Sequence, residues 1–166
     1  MAQKSRVFEQ TLKHKGYFNF SDLYNFCFQW LQDEGYTNLA EESYQEKLSD
    51  IGKEIKIKWV AKKKVTDYFK NIIELKWQII GLVEAEIERG GKKEKTNKGD
   101  LRMDFSADLE KDYENKWEDK PIWKFFRGVY DKYIISTTID EYEDRLTAKA
   151  VSFVSDIKAF LQLEGK

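Results

Sequence analysis

Residues 53–114 alternate apolar and charged side chains almost without a break, and that period of two leaves few folds open. Ile55, Ile57 and Trp59 alternate with Lys56 and Lys58, and Ile73, Leu75, Trp77 and Ile79 with Glu74, Lys76 and Gln78. Val83, Ala85 and Ile87 alternate with Glu84, Glu86 and Glu88. Leu101, Met103, Phe105, Ala107 and Leu109 follow, with Arg102, Asp104 and Asp108 between them. Alternation over this length means antiparallel strands with one face buried and one face wet. On chemistry the pattern is silent.

The punctuation within the block sets the expected strands at 53–66, 68–80 and 101–113. Gly81 breaks the alternation and predicts a bend or bulge. Gly90-Gly91 is a two-residue hairpin signal. Asn97-Lys98-Gly99 reads as a second turn or bulge, which would make Arg89–Lys98 a projecting charged tip. Upstream, Arg6–Lys13 allows a short strand. Ser21 is the candidate N-cap of a helix carrying Leu23, Phe26, Cys27, Trp30 and Leu31, and Gly35 supplies its stop. Residues 36–48 fit either a helix or a strand; the need of the next strand for a neighbour favours strand.

Downstream, Pro121 suits the first turn of a helix whose apolar face is Ile122, Phe125, Phe126, Val129, Tyr133 and Ile134. Thr138 with Glu141 reads as a capping box. Beyond it, Ile139, Tyr142, Leu146, Ala150, Phe153, Ile157, Phe160 and Leu161 mark a long closing helix. The inner face of the sheet must be covered, and these two C-terminal helices carry the matching surface. Each large side chain so buried contributes ~1.5–3 kcal/mol before entropy is charged against it. The expected fold is therefore α+β in one domain, 1–166. It is a twisted antiparallel meander of about five or six strands packed against two C-terminal helices, with one N-terminal helix.

Composition limits the partners. Charged residues make up 36% of the chain, but 29 basic side chains nearly cancel 30 acidic ones, so no global field gathers nucleic acid or anionic lipid. Cys27 stands alone and cannot form an internal disulfide. The start Met1–Arg6 is polar, and the longest near-uncharged run, Trp77–Val83, is too short to cross a bilayer. The expectation is a soluble cytoplasmic protein.

Catalytic constellations are sparse. His14, the single histidine, sits among Lys13, Lys15 and Gly16 and reads as an exposed loop residue. Cys27 reads as a small core residue. One histidine and one cysteine cannot close a zinc shell, and no acidic cluster has the spacing of a calcium loop. Gly90-Gly91 matches no phosphate-binding loop, so no cofactor is expected. Lys92, Lys93, Lys95 and Lys98 form a local basic patch at the hairpin tip, without the aromatic interleaving that base stacking needs. Trp117, Trp123, Phe126 and Tyr130 concentrate aromatics at a strand-to-helix junction, a natural partner surface wherever they are exposed.

Asn19-Phe20-Ser21-Asp22-Leu23-Tyr24, Lys64-Val65-Thr66-Asp67-Tyr68, Lys111-Asp112-Tyr113-Glu114 and Ala159-Phe160-Leu161 resemble a family of small uncharacterised archaeal proteins. That resemblance brings no activity or site residue with it. The order of elements is similar to the helix-grip arrangement of START-like lipid- and polyketide-binding proteins. By that analogy a cavity lies between sheet and last helix, lined by Trp59, Trp77, Phe105 and Phe153, and fold analogy alone does not establish function. The leading expectation is a non-enzymatic module acting through a protein partner or self-association. A carrier of a small apolar ligand is the alternative.

Overall fold

The computed structural model describes residues 3–111 and 136–164. The described chain runs β1 (Gln3–Phe18), α1 (Phe20–Asp33), β2 (Asn38–Ser49), β3 (Gly52–Lys64), β4 (Phe69–Arg89), β5 (Lys92–Lys111) and α2 (Ser136–Glu164). The strands form one antiparallel sheet in the order β1-β5-β4-β3-β2. β2 to β5 are a meander, and β1 closes the far side by pairing with β5. The described residues are thus α+β, with five antiparallel strands and two helices, one of them C-terminal. The helix expected from Pro121 lies outside the described residues.

The predicted alternation sorts the sheet into two faces. Ile55, Ile57, Trp59, Ile73, Leu75, Trp77, Ile79, Phe105 and Leu109 are all buried on one face. Both helices cover that face. Trp30 of α1 stacks on Phe153 of α2 with ring centroids 4.2 Å apart and planes 8° from parallel, and Phe105 of the sheet meets Phe153 edge-on at 5.7 Å. Along α2, Leu146, Ala150, Phe153, Ile157 and Leu161 recur at helical spacing and are buried, which is why this stripe and not another faces the sheet.

Several boundaries differ from expectation. The N-cap of α1 is Asn19, not Ser21: its Oδ1 accepts the Asp22 N–H at 3.0 Å. Gly35 ends the helix as expected, at φ +91°, with Gly35 N–H donating to the Gln32 carbonyl and Tyr36 N–H to that of Leu31. These two bonds form a Schellman stop, in which a positive φ favours glycine. α2 begins at Ser136, two residues ahead of the expected cap, so Thr138 lies within its first turn.

β1 extends well past Lys13. Its last residues pair with the middle of β5, His14 with Leu101 and Phe18 with Asn97. Residues 38–49 are strand, joined to β3 across Asp50-Ile51.

Asn97-Lys98-Gly99 is not a turn. These residues lie inside β5, paired with β1 on one side, and Asn97 and Lys98 pair with β4 on the other. The irregularity falls on β4, where the register shifts between Ile80 and Val83. Gly81 and Leu82 together stand opposite Gly99, a bulge that leaves β4 one continuous strand through Arg89. The β2–β3 turn seats against this bulge so closely that a Cβ on Gly52 would stand 2.8 Å from the Gly81 carbonyl carbon. Gly90 and Gly91, at φ +57° and +81°, make the hairpin tip as predicted.

On the open face the charges pair across strands. Lys58 stands directly opposite Lys76, a repulsive register that carboxylates offset. Glu74 lies 3.4 Å from the Lys76 ammonium and 4.0 Å from that of Lys58, which also meets Glu42 at 3.1 Å. Such exposed pairs contribute ~0.2–1 kcal/mol each, and their fixed spacing helps to hold register.

Candidate functional site

Three regions carry the sites expected from sequence: the aromatic interior, the hairpin tip and the strand-to-helix junction. Trp117, Trp123, Phe126 and Tyr130 of the junction lie outside the described residues.

In the interior, Trp59, Trp77, Phe105 and Phe153 are each at most 3% exposed. The fold brings them together in pairs. Trp59 and Trp77 stand side by side on β3 and β4 with centroids 5.4 Å apart, and Phe105 meets Phe153. A second set of rings joins the tryptophans from α1. Tyr24 lies edge-on to Trp59 at 4.8 Å, Phe20 to Trp77 at 6.2 Å, and Phe28 to Trp59 at 6.5 Å. Edge-to-face pairs of this kind contribute ~0.5–1.5 kcal/mol beyond their buried area. Phe20, Tyr24 and Phe28 repeat every fourth residue, so this second stripe of α1 was present in the sequence beside the Leu23–Leu31 stripe.

Glu41 of β2 completes this cluster at its rim. One of its oxygens accepts both the Tyr24 hydroxyl at 3.0 Å and the Trp59 indole N–H at 3.3 Å. Burial, and then the bond to Glu41, push the Tyr24 phenol up to about 12. Tyr36, buried near the end of α1, is likewise pushed up to about 12 by its burial. The Trp77 indole N–H is buried without a hydrogen-bond acceptor among the described residues.

The hairpin tip is less basic than its local sequence. Lys93 and Lys95 stand opposite Glu88 and Glu86, and Lys92 opposite Arg89. Lys98 belongs to the continuous part of the sheet, its ammonium 5.4 Å from the Tyr17 ring centroid. Arg89 reaches back to the Leu163 carbonyl at 3.0 Å, so the tip meets the last turn of α2.

His14 is not in a loop. It sits on β1, its ring nitrogen Nε2 3.1 Å from the Tyr17 carbonyl and its ring edge-on to Phe18. Leu12, His14, Gly16 and Phe18 continue the alternation of β1 beyond the expected strand; the clustered Lys13, Lys15 and Gly16 concealed it. Cys27 is fully buried, and burial holds its thiol well above the ordinary range, where the nucleophilic thiolate is scarce. Among the described residues no group of three or more His, Cys, Asp or Glu side chains could hold a metal ion, and no helix is long and apolar enough to cross a membrane.

The two edges of the sheet are the remaining features. β1 has α2 beside it: Ser5 Oγ donates to Glu143 at 3.2 Å, and Thr147 Oγ1 to the Val7 carbonyl at 3.4 Å. β2 ends the sheet on the other side, with every residue but Leu39 exposed. No protein-family model matches this chain, and no curated protein or solved structure does so either.

Proposed function

We propose that the protein is a non-enzymatic binding module that takes up an extended segment of a protein partner on the outer edge of β2, which no described strand pairs. The supporting observation is the 12-residue length and near-complete exposure of that strand at the end of the sheet. An unpaired edge offers a row of N–H and C=O groups that an added strand satisfies, while alternate side chains supply specificity. Tyr44 and Glu46, opposite Ile57 and Ile55, share the face that the helices cover, and Leu48 follows by alternation. All three side chains are exposed, Leu48 at 78%. The bulge between Glu41 and Ser43 and the charges of Glu41, Glu42, Glu46 and Lys47 guard the edge against indiscriminate pairing. That protection selects for a matching partner.

The test compares the parent with Glu46→Pro, which removes an N–H that the β2–β3 register turns away from β3 and so blocks strand addition at the edge. Light scattering across concentration and affinity capture from cell extract read the outcome. The reading expects a second copy or a partner retained by the parent and lost in Glu46→Pro, with thermal unfolding little changed, since only the exposed ion pair of Glu46 with Lys53 goes with it. Equal retention by both overturns it, as does a strict monomer that retains nothing.

The strand order favours a second reading, a carrier of a small apolar ligand in the helix-grip manner. β1, the α1 segment, the meander and a long last helix follow one another as that arrangement requires. A ligand held there must part the Trp59–Trp77 or Phe105–Phe153 contacts. Native mass spectrometry that finds no co-purified ligand removes this alternative.

A further inference from the structure

We infer that a groove between the edge of β1 and the C-terminal third of α2 binds a small organic anion with an apolar body, such as a medium-chain carboxylate. This inference uses neither β2 nor the aromatic interior, and stands apart from both readings above.

The groove encloses about 490 Å3, within the range of roughly 300–1,000 Å3 common to small-molecule sites. Its floor is apolar: Leu12 of β1 and Leu161 of α2 line it and are themselves buried. Its rim is cationic. Lys13 and His14 flank it from the strand and Lys158 from the helix, with Gln162 adding an amide. No carboxylate among the described residues lines the groove. Among the described residues neither Lys13 nor Lys158 has an ion-pair partner, whereas Lys53, Lys56, Lys58, Lys76 and Lys149 are each matched to a carboxylate. Lys13 and Lys158, neither with an ion-pair partner among the described residues, line a groove with an apolar floor and suit one anionic headgroup with a hydrocarbon tail. A bare inorganic anion would leave the floor unused, and a neutral alkyl chain would leave the rim unused.

The balanced net charge conceals this asymmetry. β1 pairs at the far side of the sheet from β2, so Lys13-His14 meets Lys158 only through the tertiary packing of α2 on the β1 side. A second depression, lined by Lys13, His14, Arg102 and Gln78 among others, lies next to the same strand. Lys158 lines only the first groove and Arg102 only the second, which makes the assignment separable.

Octanoate is the probe. His14 is the only histidine, so its ring resonances in nuclear magnetic resonance report locally and without overlap. The inference expects saturable shifts of those resonances on adding octanoate, and at least about threefold weaker responses to octanol, octyltrimethylammonium and inorganic phosphate at equal concentration. Lys13→Gln with Lys158→Gln weakens binding by about twofold to thirtyfold, the range for two exposed charge contacts. Lys93→Gln with Lys95→Gln, which removes equal charge at the hairpin tip, leaves it unchanged. Lys158→Gln alone weakens binding and Arg102→Gln does not. Absence of saturation overturns the inference, as does octanol or phosphate binding as well as octanoate. Sensitivity to Arg102→Gln without sensitivity to Lys158→Gln also overturns it, by moving the anion to the neighbouring depression.

Discussion

β1 and β2 are the two outer strands of one sheet, and they differ in what covers them. α2 packs along β1, buries Leu12 and ties the strand through Ser5 and Val7. β2 keeps its length in solvent, with Tyr44 and Leu48 exposed. Exposed sheet edges invite pairing, and proteins manage the hazard by covering an edge or by bulging and charging it. This chain uses the first device on β1 and the second on β2. The comparison teaches where binding is open: at β2 a strand can be added, whereas at β1 the helix leaves only a groove.

Substitutions on the covered and bare sides should separate widely. Phe153→Ala, which removes the ring between Trp30 and Phe105, should cost ~3–5 kcal/mol in denaturant unfolding. A loss below about 1 kcal/mol would mean that α2 does not seal the sheet. Gly52→Ala comes next. A Cβ there meets backbone of the Gly81 bulge at 2.8 Å, at a φ of +131° that disfavours L side chains. Overpacking of this kind costs ~1–3 kcal/mol, and an unchanged midpoint would show that the β2–β3 turn does not rest on the bulge.

Alkaline pH probes the same contrast. Tyr24 and Tyr36 are raised from 10 to about 12 in the folded chain, so each binds its proton more tightly folded than unfolded. The stability they add is complete below pH 10 and is lost as pH rises toward 12. Melting temperature should therefore fall across that window, and Tyr36→Phe should flatten the fall. If Tyr36→Phe leaves the slope intact, the raised phenol is not the source. At the bare edge, Leu48→Ser should change stability by less than about 0.5 kcal/mol. A loss of 2 kcal/mol or more there, on the scale of burying a whole side chain, would mean that β2 is covered.

Much of the fold was legible because period two is a local signal. Ile55 to Trp59, Ile73 to Ile79 and Met103 to Leu109 point inward as their alternation requires, and Gly90-Gly91 turns where two glycines allow it. What escaped was set at a distance. The extension of β1 to Phe18 depends on pairing with Asn97 some eighty positions later, and Asn97 looked like a turn because one of its two neighbouring strands, β1, is remote in sequence. Asn19 outranked Ser21 as the cap because the helix begins at Phe20, directly after β1 ends at Phe18. The candidate sites fared less evenly. Burial of the four interior rings followed from their periodicity, but Glu41 joining Tyr24 to Trp59, and Lys158 reaching the Lys13-His14 side of β1, exist only once α1 and α2 are seated.

Residue-resolved hydrogen exchange of the isolated protein compares the two edges directly. The account predicts that, among amides facing away from the neighbouring strand, those of β1 from Val7 to His14, beside α2, exchange more slowly than those of Tyr44, Glu46 and Leu48 on β2. Equal strong protection of both strands in the dilute monomer would contradict it.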